Sequence, residues 1–242
     1  MNVRTLAVVF LLMLSVAMLV RAPARALAPI LADGSANRLR LTEAQGSVWS
    51  GAAGLSCILP EGTSVNCGRW AWNLVPGNLA QARLSLLVRR DGVDESMLIS
   101  WTPAGLEMER VAITLPAALA GSVDPKIAAL RLGGRLHISS QKLSSSAGQA
   151  KIFWQKMDSG LVPGQALGDH VIDVVTGVAG SNFTITSASG PVVLSGGGSV
   201  ARDGQATIDA VATVDPKNAA LPSLLSLMGS EVAPGQFRFK LP

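Results

Sequence analysis

Two tryptophans set two residues apart, after a glycine-bounded turn, constrain this chain more than any other feature. Gly46-Ser-Val-Trp49-Ser-Gly51 is followed by Trp70-Ala-Trp72-Asn-Leu-Val-Pro76-Gly77. On a strand, side chains at i and i+2 share a face, so Trp70 and Trp72 would project together. Each indole brings a large apolar area and one N–H that needs a partner when buried. Gly46 and Gly51 permit backbone angles closed to other residues. The stretch reads as the core of a β-hairpin, with strands over Val48 to Ile58 and Cys67 to Leu74.

Period-two alternation and turn residues recur along the chain. After a linker and first strand in 29–45, strands are expected over 82–90, 97–101, 106–115, 135–139, 149–156, 171–175, 183–187, 192–194, 205–214 and 236–240. The alternation is cleanest at Ala206, Ile208, Ala210, Ala212 and Val214 against Gln205, Thr207, Asp209, Val211 and Thr213, and Phe237 and Phe239 share a face in the last strand. Two short helices interrupt the pattern. Each begins at Asp-Pro-Lys, at Asp124 and at Asp215, which places an N-cap before a proline in the first helical position. Gly133-Gly134 and Gly229 are read as their stops. Strand, capped helix and strand thus occur twice, about ninety residues apart, as an internal duplication or as two independent caps. The fold class is mainly β: a sheet of antiparallel strands with two short helices. Those helices are too few to cover it, so a curved, groove-like sheet is expected. The β-rich part spans 29–242, and serine-rich 139–148 is the best candidate for a subdivision.

The first 28 residues are a separate region. Leu6 to Val20 is fifteen residues long, apolar except for Ser15, with Arg4 before it and Arg21 after it. As a helix it spans about 22 Å, against about 30 Å for a hydrocarbon core. That length suits a signal-peptide core, and Ala24-Arg-Ala26 and Ala26-Leu-Ala28 offer cleavage sites. Arg21 and Arg25 argue instead for an uncleaved anchor whose arginines snorkel to the interface. Either reading sends 29–242 across a membrane.

The net charge is +4, and 48% of residues are hydrophobic against 15% charged, which excludes a disordered chain. Three of the positive charges, Arg4, Arg21 and Arg25, fall in the first 28 residues, which hold no acid, so the rest carries 4 − 3 = +1. With no basic stripe interleaved with aromatics, nucleic acid is not a partner.

Cys57 and Cys67 flank a Pro60-Glu-Gly62 turn. In an oxidising compartment they would close a hairpin disulfide, contributing on the order of 2–3 kcal/mol; in a reducing one they would be free thiols. Two cysteines without neighbouring histidines do not make a metal site. His137 alternates with Leu136 and Ile138 and is expected to face solvent. His170 follows Asp169, an acid–histidine pair in sequence but without a nucleophile motif. Glu107 and Glu109 share a face with Val111 and read as a solvated edge; Asp94 and Glu95 read as exposed turn charges. Gly196-Gly-Gly-Ser199 lacks the Lys-Ser/Thr of a phosphate loop and is expected to be a turn or bulge. Asn182-Phe-Thr184 matches a glycosylation sequon. No catalytic constellation, cofactor site or metal site emerges, and the chain reads as non-enzymatic.

An amino-terminal hydrophobic segment leading into Ala22-Pro23-Ala24, then Gly46-Ser-Val-Trp-Ser-Gly-Ala52, then Trp70-x-Trp72-x-Leu74-x-Pro76, resembles the GspN family, protein N of the bacterial type II secretion system. The specific motifs lie between Pro23 and Gly77, with similarity in outline over most of the chain. The resemblance implies a single-pass inner-membrane protein, anchored by Leu6–Val20, whose bulk lies in the periplasm. Its partners would be other inner-membrane subunits or the outer-membrane secretin. Gly46, Trp49, Gly51, Trp70, Trp72 and Pro76 would be structural supports. The family's likeness to the AsmA group of β-rich periplasmic proteins implies an alternative, a lipid-handling module with an apolar groove.

Overall fold

Alternation on this scale needs a sheet to receive it, and the computed structural model supplies one. Residues 6, 10, 11, 13, 14, 17, 18 and 20–241 are described, apart from 60, 61, 123, 124, 145, 204, 216–219 and 228. Among them, fourteen strands form one antiparallel sheet in which nearly every strand pairs with its neighbours in sequence. They are β1 (Leu39–Gly46), β2 (Ser50–Ile58), β3 (Ser64–Leu74), β4 (Leu84–Arg90), β5 (Ser96–Thr102), β6 (Gly105–Pro116), β7 (Leu132–Ser144), β8 (Gly148–Ser159), β9 (Ala166–Gly177), β10 (Gly180–Ser189), β11 (Val192–Ala201), β12 (Ala206–Val214), β13 (Ser230–Ala233) and β14 (Gln236–Leu241). The order departs from the chain once, where β14 inserts between β12 and β13. Of serine-rich 139–148, residues 139–144 end β7 and Gly148 begins β8.

The helices differ from expectation in number and place. Helix α1 (Leu27–Gly34) runs from the end of the amino-terminal segment, placed at 1–28, into the stretch from 29 read as linker, and its Leu27 packs on the cluster of Trp72, Ala53 and Ala24. Helix α2 (Pro125–Ala129) starts at the expected proline, but Gly133 and Gly134 do not end it; they lie in β7. The reason is steric: a Cβ at Gly134 would sit 2.6 Å from the carbonyl oxygens of both Gln155 and Lys156. Helix α3 (Ala220–Ser226) is closed as expected, by the Gly229 N–H on the Leu225 carbonyl. Asp124 and the Pro216-Lys217 start lie outside the described residues. Gly196–Gly198 is not a turn either. It lies in β11, where a side chain at Gly196 would strike the Ala210 backbone and one at Gly198 the Phe183 ring.

The main core is shared across the sheet. Leu132 of β7, Trp154 and Met157 of β8, Leu167 of β9, Ala210 and Ala212 of β12 and Phe237 and Phe239 of β14 join one buried cluster with Leu221, Leu224 and Leu225 of α3. For strands so far apart in order to meet, the sheet must curl. A line of bulges marks the bend. Register slips between Gly133 and Arg135, between Trp154 and Met157, and between Ser187 and Ser189, and the backbone turns left-handed at Gly134 (φ 99°), Lys156 (φ 52°) and Gly168 (φ 120°). Bulges raise local twist and bend a strand. Asp169 staples this line, accepting the Lys156 N–H at 2.7 Å and the Ser189 hydroxyl at 3.0 Å. Both outer edges are blunt: β1 is bulged at Glu43 (φ 50°) and β13 has four residues. Such edges resist pairing with other chains.

Candidate functional site

The tryptophan hairpin forms a clamp at the amino-terminal end of the sheet. Gly46 (φ 84°) enters the turn, and the Ser47 hydroxyl accepts the Trp49 and Ser50 N–H groups at 3.3 and 3.1 Å. Trp72 in β3 is buried and donates its indole N–H to the Ser47 carbonyl at 3.1 Å. Gly51 is required beneath it: an added Cβ would lie 2.8 Å from the indole and 2.5 Å from the Gln45 carbonyl. Trp49 is half-buried, and its carbonyl accepts the Leu74 N–H at 2.7 Å. Trp70, on the same face as Trp72, is buried and donates to the Cys67 carbonyl at 3.0 Å. Cys57 and Cys67 are joined as a disulfide, with Cα atoms 6.0 Å apart and both residues buried. Pro76 opens a 3-10 helix, Pro76–Gln81, that carries the chain to β4.

Two groups of charges knit the following strands. The Arg90 guanidinium lies 6.0 Å from the Trp70 ring centroid and donates to Glu95 and to the Thr114 carbonyl, each at 3.1 Å. Burial pushes the Glu95 carboxyl up, but hydrogen bonds from Thr114 and Arg90 outweigh it and hold the group below the usual range. Arg83 bridges Glu107 at 2.6 Å and Glu109 at 3.0 Å, and Lys142 closes on Glu107 at 3.1 Å. Glu107 and Glu109 are therefore not a solvated edge. They stand in β6, between β5 and β7, with two cations on two acids.

Neither histidine is part of an acid–histidine dyad. His137 does not face open solvent; it is half-buried, with Nδ1 2.9 Å from the Thr114 hydroxyl and Nε2 3.2 Å from the Gln155 side-chain oxygen. His170 is 1% exposed, with Nδ1 3.0 Å from the Ser187 hydroxyl, while Nε2 is buried with no hydrogen-bond partner. Burial lowers its pKa, and the negative charge of Asp169 opposes that only in part. Asp169, the preceding residue, spends its oxygens on Lys156 and Ser189. The Ser187 hydroxyl in turn accepts the Leu194 N–H at 2.6 Å, so it is a structural hub and not a free nucleophile.

Two features escaped sequence reading. The first is a buried polar chain in which the Asn78 amide donates to Ser85 at 2.8 Å, and Ser85 and Ser100, both fully buried, share a 2.8 Å bond. The second is a row of isoleucines. Ile113, Ile138, Ile152, Ile172 and Ile185 pair in register across β6 to β10, one per strand. Each strand shows only one isoleucine of the row, so no single segment could reveal it. An open hollow of about 990 Å³ also lies on β6 to β9, with Arg110, Lys142, Lys151 and Asp173 in its lining; Lys151 and Asp173 alternate with Ile152 and Ile172 and so face the opposite side of the sheet from the row.

At the amino terminus, the described residues between Leu6 and Val20 are helical, and both Leu6 and Val20 are exposed. Among the described residues no helix is long and apolar enough to cross a membrane. The family model described as type II secretion system (T2SS), protein N, matches residues 37–240, from just before β1 into the last strand. No curated protein and no solved structure matches the chain.

Proposed function

The chain belongs to the protein N family of the type II secretion system, and on that premise we propose that it is a non-enzymatic envelope subunit supporting export of folded proteins. In this reading Leu6–Val20 anchors it in the inner membrane, and the sheet stands in the periplasm facing other secretion subunits, either inner-membrane platform proteins or the secretin. The observation that carries the reading is that the family match runs from just before β1 into β14 and leaves out the amino-terminal stretch. Further support is the commitment of each candidate catalytic group to structure: Asp169 to a bulge, His170 to Ser187, and Glu107 and Glu109 to Arg83. The buried disulfide suits an oxidising compartment.

The test is affinity capture of the tagged full chain from its own bacterium after mild crosslinking, with protease added to intact spheroplasts in parallel. Co-enrichment of other type II secretion subunits, and digestion of the sheet from outside the inner membrane, are expected. Capture of none of those subunits, or protection of the sheet until the membrane is lysed, contradicts the reading.

A further inference from the structure

The hairpin turns of a meander fall alternately at its two ends, and in this sheet the two ends differ in chemistry. At one end of β1 to β6 the connections are 47–49, 75–83 and 103–104, which hold no acid. At the other end the β4–β5 connection, 91–95, carries Asp91, Asp94 and Glu95. The acid-free end also presents apolar side chains to solvent. Leu79 of the 3-10 helix is exposed, and so are Trp101, at 47%, and Leu106, which stand opposite each other across β5 and β6. Leu84 of β4 pairs with Trp101 on the same face. Glu107, next along the chain, faces the other way and is bound by Arg83 and Lys142.

The amino-terminal segment meets the sheet at this same end. The Val48 N–H donates to the Ala22 carbonyl at 3.0 Å, Pro23 bridges Ser47, and Ala24 is buried with Ala53 and Trp72. Leu6 to Val20 is about 22 Å long as a helix, against about 30 Å for a hydrocarbon core. An anchor that short draws the residues at its end down to head-group level. What is pinned to Ala22 and Pro23 comes with them, and the β5–β6 tip lies three strand spacings from β2, about 14 Å. Tryptophan is a side chain that favours this depth. Charge acts in the same sense. Arg21 and Arg25 are exposed at this end, so an anionic bilayer attracts it and repels the acidic turn at the other.

We infer that this end of the sheet rests on the bilayer surface, with Leu79, Trp101 and Leu106 inserted at head-group level. The inference rests on the anchor proposed above, and its test separates the two. Thiol-reactive nitrobenzoxadiazole is placed singly on the full chain through Val20→Cys, Leu79→Cys, Val93→Cys or Leu106→Cys; Cys57 and Cys67 are joined and buried and do not take it. Val93, exposed on the acidic turn, is the matched control. In vesicles of phosphatidylethanolamine and phosphatidylglycerol carrying a head-group nitroxide lipid, quenching is expected at positions 20, 79 and 106 and not at 93. Trp101→Asp is expected to lower quenching at 106 severalfold while that at 20 is unchanged. Quenching at 20 alone, equal quenching at 79, 93 and 106, or quenching at 106 that Trp101→Asp leaves intact overturns the inference and leaves the anchor standing. Quenching at 79 and 106 without 20 contradicts the anchor and supports the surface contact; quenching at none of the four overturns both.

Discussion

The two ends of the sheet are held in different ways. Around β1 to β4 the buried apolar cluster is small, Ala24, Ala53 and Trp72 with Leu27, Leu41, Ala44 and Val88 at its margin. What fastens that end is local and directional: the disulfide, the Trp72 indole on Ser47, the Trp70 indole on Cys67, and Arg90 between Trp70 and Glu95. From β7 to β14 the reverse holds. A core of aromatic and aliphatic side chains is drawn from six or more elements that meet only because the sheet curls. The comparison teaches that a meandering sheet, whose strands pair almost only with their neighbours along the chain, needs either staples or a curl, and this chain uses one at each end.

Substitutions should separate the two modes. The largest effect is expected from Phe237→Ala, since Phe237 is 2% exposed at the centre of the shared core; a loss of about 3–5 kcal/mol in urea unfolding is expected. A loss below about 1 kcal/mol would mean the curl is not held by that core. At the other end, Cys57→Ser with Cys67→Ser should cost about 2–3 kcal/mol, because the closed loop is short.

A smaller effect is expected from acid. His170 has its folded pKa lowered by burial, so the unfolded chain binds the proton more readily. Its contribution is then intact above the ordinary histidine value of about 6.5 and is lost as pH falls below it. Thermal scans from pH 7.5 to 5 should show this slope, and His170→Gln should flatten it. Asp169, held low first by the Lys156 N–H and then by Ser189, acts in the same direction but only below the ordinary aspartate value of about 3.9. Trp72→Phe removes the hydrogen bond to Ser47, about 1 kcal/mol, together with one ring of the buried indole, so urea unfolding should show a loss above that figure.

The clamp was the legible end. A tryptophan pair at i and i+2, glycines at a turn and two cysteines ten apart are local signals, and local geometry realises them. The strand pattern at Ala206–Val214 and at Phe237 and Phe239 was legible for the same reason, since burial alternates as the residues do. The curl was not. It depends on bulges at Gly134, Lys156 and Gly168, and a bulge changes register without changing composition. Glycines that looked like punctuation at 133–134 and 196–198 are there because a neighbouring backbone, the Asp158 carboxyl or the Phe183 ring passes too close for a Cβ. Glu107 and Glu109 looked solvated because their partners, Arg83 and Lys142, are more than twenty residues away in sequence. The isoleucine row exists only after four registers are known.

Hydrogen exchange on the full chain, comparing the native protein with the Cys57→Ser and Cys67→Ser double variant, tests the division of labour most directly. Two independently fastened ends of one sheet predict that protection falls across β1 to β4 and is retained from β7 to β14. Equal loss along all fourteen strands would contradict it.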